Sequence, residues 1–383
     1  MESRTQIVIA PDSFKGSLGS TEAAKAMARG VQRVLPEAEL TLLPLSDGGE
    51  GLVESLVVAS GGRLLEYEVT GPLGTPVQAQ LGLMGDGQTA VIEMAQASGL
   101  VLVPDEERNP LLTTTFGTGE LISKALDLGC THLIIGIGGS ATNDGGMGMA
   151  QALGVRFLDA DGELLGSGGG ELARLESIDC SRLDPRLEDV RIEVACDVNN
   201  PLTGPQGAAH VYGPQKGATP EMVEFLDQGL ARYDRILQRD LGQDVGRVPG
   251  AGAAGGLGAG LMAILKGKLV SGIELVLNVL EFDEKVRGAD LVITGEGKFD
   301  AQSAYGKVPM GVAQRSRAFG VPVVVIAGTV LPSAEVLHQE GVSAYFSILN
   351  RPMTLKEAME GAGELLENQT AEVIRLFRIK NKE

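Results

Sequence analysis

Carboxylates recur in glycine-flanked loops that follow apolar, strand-like runs: Asp12, Asp47, Glu50, Asp144, Asp197, Glu296 and Asp300, accompanied by Lys15, Lys216, Lys298 and Lys307. Carboxylates to hold Mg²⁺, lysines to neutralise phosphate oxygens and glycines to bare backbone N–H donors are the parts that phosphoryl transfer requires. Each residue alone has a plainer reading. A strand-end Asp or Ser is as often a turn former or helix cap, and a solitary lysine is more often a solvated surface group. The repetition is what points to chemistry.

The stretch IIGIGGSATNDGGMGM at 134–149 is the focus of that pattern. Leu133, Ile134, Ile135 and Ile137 read as a short buried strand, and Gly136, Gly138 and Gly139 strip side chains where the chain leaves it. Ser140, Thr142, Asn143 and Asp144 then make a turn suited to polar ligands, with backbone N–H groups free to meet an anion. Other chemistries fit less well. Only His132, His210 and His338 are present, none beside a Ser or Cys nucleophile, which speaks against a hydrolytic triad. His132, in the run THLIIG, reads as a packed imidazole. The P-loop pattern is absent, and a kinase here needs another nucleotide cradle. Gly136, Gly138 and Ala141 match a dinucleotide fingerprint, with Asp159 and Asp161 about twenty residues on, which keeps a nicotinamide-dependent oxidoreductase of small hydroxy acids open. A non-catalytic binder of a small acid stays open as well.

These loops need a scaffold. The chain has 383 residues, enough for two domains. Residues 6–10 and 40–45 are strands, each closing on a polar, glycine-bearing loop and each followed by a helix, the grammar of a parallel sheet. Alternating apolar positions at Leu65, Tyr67 and Val69, then Val77, Ala79, Leu81 and Leu83, then a strand at 89–94, break that grammar and predict an antiparallel meander. Helices are expected at 121–128, 147–153 and 221–241, with strands at 155–158 and 190–195. From Asp290 the parallel grammar resumes, with strands at 291–294, 321–327 and 344–349, helices at 308–319 and 335–341, and a terminal helix over 355–377. The class is therefore α/β. A five-stranded doubly wound sheet is built from 1–62 and 286–383, and a second domain, 63–285, is inserted into it.

Composition narrows the partners. A formal charge of −18 repels nucleic acid and anionic membrane, so the expected partner is a small molecule, and any anion must be drawn by a local cluster of lysines and amides. The 54 glycines, about twice the usual share of ~7%, gather in blocks where backbone must approach something closely. Cys130, Cys180 and Cys196 have no metal-type spacing. The N-terminal residues lack the build of a signal peptide and the longest aliphatic run, 321–327, is too short to span a bilayer, which reads as soluble and cytoplasmic.

Taken together, IVIAPDSFKGSL at 7–18, LPLSDGGEG at 43–51, TTTFGTGELI at 113–122, IGIGGSATNDGG at 135–146, YGPQKGA at 212–218, PGAGAAGGLGAG at 249–260, TGEGKFD at 294–300 and YGKVP at 305–309 resemble the bacterial class I glycerate kinases over nearly the whole chain. Small departures fall at Ser46, Leu52, Phe299, Ala301 and Ser303. The resemblance implies ATP-dependent phosphorylation of D-glycerate to 2-phosphoglycerate in glyoxylate or sugar-acid catabolism. It also implies a flavodoxin-like domain with an inserted domain resembling a restriction-endonuclease core. A homodimer is left open.

Residue roles are expectations from chemistry. Asp197 is preferred as base for the acceptor hydroxyl, with Asp47 its rival and Asn199 and Asn200 as amide donors. Lys15, beside Asp12 and Ser13, is expected to meet glycerate's carboxylate, with Lys216 a further substrate contact. Glu296 and Asp300, with Asp144, are expected to hold Mg²⁺. The glycine blocks, Gly136, Gly138 and Gly139 with Ser140 and Asn143, and Gly250, Gly252, Gly255 and Gly256, are expected to wrap the nucleotide phosphates.

Overall fold

The structure, a computed structural model, describes residues 4–49, 51–300, 303 and 307–380. Glu50, Ala301, Tyr305 and Gly306, named above, lie outside the described residues. The chain forms two compact units, residues 1–47 with 273–383, and residues 48–272.

In the first unit residues 7–9, 291–293 and 323–327 are apolar throughout, as strands buried on both faces must be. Strands Gln6–Ile9, Glu39–Leu42, Leu291–Thr294, Val323–Ala327 and Ala344–Ser347 form one sheet, every pairing parallel. Counted along the chain, their spatial order is 2-1-3-4-5, the flavodoxin-like arrangement with its switch point between the first and third strands. Ile7, Ile9, Leu291, Ile293, Val324 and Ile326 pack against helices Ser20–Gln32 and Ala362–Lys380. The alternate positions Val8, Val292, Val323 and Val325 are buried too, on the opposite face. Gly30 lets the two helices close up, because a Cβ there would lie 2.5 Å from the Glu367 carbonyl oxygen. The expected terminal helix is two, Leu355–Glu360 and Ala362–Lys380, with Gly361 marking the break.

The second unit carries a six-stranded mixed sheet. Arg63–Thr70, Pro76–Leu83 and Thr89–Glu93 form the antiparallel meander, and His132–Gly136, Arg191–Ala195 and Lys268–Val270 continue it in parallel. Leu133, Ile135, Ile192 and Val194 join helices Phe116–Asp127, Met147–Ala152, Pro220–Leu241 and Ala253–Leu265 in one core.

The compact units divide at 47/48 and 272/273, where the sequence reading expects domain boundaries at 62/63 and 285/286. Helix Leu52–Ser60 follows the second parallel strand in sequence but packs on the meander: a Cβ on Gly82 would lie 2.5 Å from Val57 Cγ2 and 3.1 Å from Val53 Cγ1. Helices Gly272–Val279 and Phe282–Val286 belong almost wholly to the first unit. Ile273, for example, meets Gly311 of helix Val308–Arg317.

Candidate active site

In the second unit, Glu93, Gly136 and Ala195 stand side by side in register at the carboxyl ends of three parallel strands. The loop after Gly136 is gripped from one side. Leu100 N donates to the Gly139 carbonyl (2.8 Å) and Ala141 N to the Ser98 carbonyl (2.9 Å), zipping residues 139–141 onto 98–100. Ser98 Oγ in turn lies 2.9 Å from Thr118 Oγ1, and Thr113 Oγ1 donates to the Ala141 carbonyl at 2.8 Å. Gly138 and Gly139 remain exposed at the mouth of this loop.

Asp144 is fully buried. Its Oδ2 accepts from Thr115 N (2.9 Å), Thr115 Oγ1 (2.8 Å) and Gly148 N (3.2 Å), and its Oδ1 accepts from Gly146 N (3.1 Å). Burial pushes its pKa up, against those hydrogen bonds. With four donors already on its two oxygens, Asp144 organises the loop and does not fit the metal role expected of it.

Lys216 corrects the picture of a solvated lysine. It is 2% exposed, and its ammonium donates to Ser140 Oγ (2.7 Å) and to the Thr142 carbonyl (2.6 Å). Desolvation lowers its pKa to about 7, with the nearby Asp144 charge opposing. Beside it, Thr142 Oγ1 and both side-chain polar atoms of Asn143 are buried without a hydrogen-bond partner among the described residues. Buried polar groups are nearly always paired, so three unsatisfied polar atoms on the loop that Lys216 grips set this part of the second unit apart.

The second glycine block does different work. A Cβ on Gly252 would lie 2.1 Å from the Pro201 carbonyl oxygen, and one on Gly255 2.0 Å from the Thr142 carbonyl oxygen. Gly250 and Gly256 are likewise pressed against protein, near Leu269 and Leu202 respectively. Residues 250–256 are buried, so they back the 142–146 loop and do not wrap a ligand directly.

Asp197 is exposed, two residues beyond Ala195, and its Oδ1 accepts from Gly272 N (3.0 Å) and Ser271 Oγ (3.2 Å). Asn199 is exposed. Asn200 is no free amide donor: its Nδ2 donates to the Gln206 carbonyl (2.8 Å) and its Oδ1 accepts from Tyr212 Oη (2.6 Å).

In the first unit the candidate residues follow the carboxyl ends of three adjacent strands. Asp12 comes after the first strand, Asp47 after the second and Glu296 after the third, so Asp12 and Glu296 flank the switch point. Asp12 Oδ1 accepts from Ser13 N at 2.6 Å. Burial, with the Asp47 charge second, raises its pKa to about 7 despite the Ser13 hydrogen bond, and Glu296 adds to the rise. Glu296 is also pushed up by burial, partly offset by Ser303, whose Oγ donates to it, and by Lys307 at 3.4 Å. Asp300, 5% exposed, pairs with Lys298 at 2.9 Å. Lys15 is exposed next to these carboxylates in sequence and fold: a Cβ on Gly297 would lie 3.4 Å from Lys15 N.

No three Asp, Glu, His or Cys side chains among the described residues are grouped closely enough to enclose a metal ion. Mg²⁺ takes one or two carboxylates and completes its shell with phosphate oxygens and water. Glu296 and Asp300, hard donors held by neighbouring cations, fit that demand.

The comparisons with known proteins decide the family. The family model described as Glycerate kinase family matches residues 7–378. The chain belongs to the glycerate kinase family. It is 54% identical over 376 residues to a glycerate kinase from Halalkalibacterium halodurans, covering 98% of this chain and 99% of that one. It is 53% identical over 357 residues to the glycerate 2-kinase of Escherichia coli K12, covering 93% and 94%. The crystal structure described as that of a "putative glycerate kinase 2" from Salmonella typhimurium LT2 superposes with a TM-score of 0.92 at 50% identity, covering 100% of both chains.

The oxidoreductase alternative loses its structural basis. Asp159 follows Arg156–Leu158, a strand that pairs antiparallel with Ser177–Asp179 outside the main sheet, whereas a dinucleotide fingerprint needs its acid at the end of a neighbouring parallel strand. Asp159 is also occupied by Arg174 (2.7 Å) and by the N–H groups of Asp161 and Glu163. The threonines that grip the loop were not expected as site residues. Their signal was the run TTT before FGTG, three hydroxyls just ahead of an apolar helix.

Proposed function

We propose that this member of the glycerate kinase family transfers the γ-phosphoryl group of ATP to the 2-hydroxyl of D-glycerate, giving 2-phosphoglycerate, in the cytoplasmic catabolism of glyoxylate or sugar acids. The observation that carries the reading is Lys216, a buried amine fixed on a glycine-bearing loop beside the unpartnered side chains of Thr142 and Asn143. A phosphate arriving there gives the amine the counter-charge that burial denies it, and offers oxygens to Asn143 and Thr142. The exposed Gly138 and Gly139 let a phosphate approach the backbone closely.

Phosphoryl transfer passes through a loose transition state, so positioning and charge neutralisation carry most of the rate. Asp197 is assigned as the base that takes the proton of the acceptor hydroxyl, its carboxylate oriented by Ser271 and Gly272. Asp47 is the alternative base. Lys15, with Ser13 and Asp12 beside it, is assigned to glycerate's carboxylate. Glu296 and Asp300 are the residues that would hold Mg²⁺, which when bound neutralises charge on the transferring phosphates.

The test follows ADP release with D-glycerate in a coupled assay, beside a direct assay for NAD reduction. Glycerate-dependent ADP formation, a product whose phosphorus couples to a single C2 proton in ³¹P NMR, and no nicotinamide signal are expected. A phosphorus split by a methylene pair would overturn the 2-position, and NAD reduction without ADP would overturn the kinase reading.

A further inference from the structure

We propose that Glu93 is a positioning residue for phosphoryl transfer, holding the start of helix Leu52–Ser60, and with it Gly48 and Gly49, over the strand ends that carry the glycine loop and Asp197. The inference rests on the reading above, in which those strand ends serve the kinase reaction.

Glu93 is an acid at the last position of strand Thr89–Glu93, and it is only 6% exposed. Charged side chains are rarely buried there without a task. Its Oε1 accepts from Val53 N at 2.9 Å. Val53 is the second residue of helix Leu52–Ser60, whose N-cap Gly51 has no side chain to offer, so a carboxylate from another element supplies the missing cap. A carboxylate at that helix end also meets the positive pole of the helix.

The path between them is kept open by a missing side chain. Gly136 is the register partner of Glu93, and a Cβ on Gly136 would lie 2.8 Å from the Gly48 carbonyl oxygen and 3.8 Å from Glu93 Cγ. On its other side Gly136 pairs with Ala195. Gly48 rests on that residue as well: a Cβ on Gly48 would lie 2.8 Å from Ala195 Cβ and 3.6 Å from Asp197 Oδ2. Glu93, Gly136 and Ala195 thus form a row, Gly48 lies across it, and the tether from Glu93 to Val53 sets how closely Gly48 approaches Asp197. Displacing a catalytic group by about 1 Å costs on the order of 100-fold in rate.

The experiment compares Glu93→Ala, Glu93→Gln and Asp197→Asn in the full chain, measuring kcat, KM for ATP and D-glycerate, and the thermal midpoint. Glu93→Ala is expected to lower kcat by about 10- to 100-fold with both KM values within about threefold. Glu93→Gln, whose amide oxygen still accepts from Val53 N, should recover to within about fivefold of the parent. Unchanged kcat in Glu93→Ala, or a loss that follows only the fraction of folded protein, would overturn the proposal. So would Glu93→Gln falling as far as Glu93→Ala, which would make the residue an acid or base and not a support. Asp197→Asn separates the two readings: full turnover there removes the base assignment, whereas its loss beside an unaffected Glu93→Ala removes only the positioning role.

Discussion

Lys216 and Asp12 are ionisable groups held where water does not reach them well, and they bend stability with pH in opposite directions. Burial lowers the Lys216 pKa to about 7, below its unfolded value of about 10.4, so the folded chain binds fewer protons between those limits and stability rises with pH across them. Asp12 is raised to about 7 from an unfolded value near 3.9, so the folded chain binds more protons there and stability falls as pH rises from about 4 to 7. Without magnesium, Asp12→Asn should therefore flatten the decline of the urea midpoint between pH 5 and 7 relative to the parent. An unchanged slope would mean that Asp12 is solvated. At the same scale, Asp197→Asn should lower kcat at least about 100-fold while KM moves little, since a base acts in the transition state. Full turnover would transfer the role to Asp47.

At the scale of elements, the segment 113–118 is the frame of the glycine loop. Thr113 holds the Ala141 carbonyl, while Thr115 Oγ1 donates to Asp144 and accepts from Met149 N at 2.9 Å. Thr115→Val keeps the shape but removes a hydroxyl that serves two buried groups, and should cost about 1–3 kcal/mol. Urea denaturation checks it; a loss near zero would mean that Asp144 finds another donor. Much at this scale was legible in the sequence. Runs such as VVVIA, and IVI at 7–9, are apolar on both faces and announce parallel strands, and the alternation from Leu65 to Leu83 announces the meander. Strand Lys268–Val270 was not foreseen, because three residues carry no period and its place is set by pairing with Arg191–Ala195. Helix Leu52–Ser60 is legible as a helix but its sheet is not, since nothing local distinguishes packing on one sheet from packing on the other.

For the whole molecule, each unit has its own sheet and core. A wedge in one core should then be felt mainly there. Gly30→Leu forces a side chain into the Glu367 backbone and Thr370. It should speed amide exchange in strands Gln6–Ile9 and Leu291–Thr294 and leave His132–Gly136 protected. Equal acceleration in both units would show one cooperative block. The α/β class and the family were readable from motifs spread along the chain, whereas the strand orders are set by pairing between distant segments. Of the candidate site, type and spacing name the glycine loop, Asp197 and the carboxylates after the first-unit strands. The burial of Lys216, the four donors on Asp144 and the inward packing of residues 250–256 depend on contacts between segments far apart in sequence.

The most direct test of the account is the turnover of Lys216→Met with ATP and D-glycerate, measured beside its thermal midpoint. Removing a buried amine also removes its desolvation cost, offset by the lost bonds to Ser140 Oγ and the Thr142 carbonyl, so the midpoint should stay within about 5 °C. With the fold intact, glycerate-dependent ADP formation is expected to fall by at least about 100-fold. A folded Lys216→Met protein that turns over at the parental rate would contradict the assignment of this lysine and its loop to the transferred phosphate.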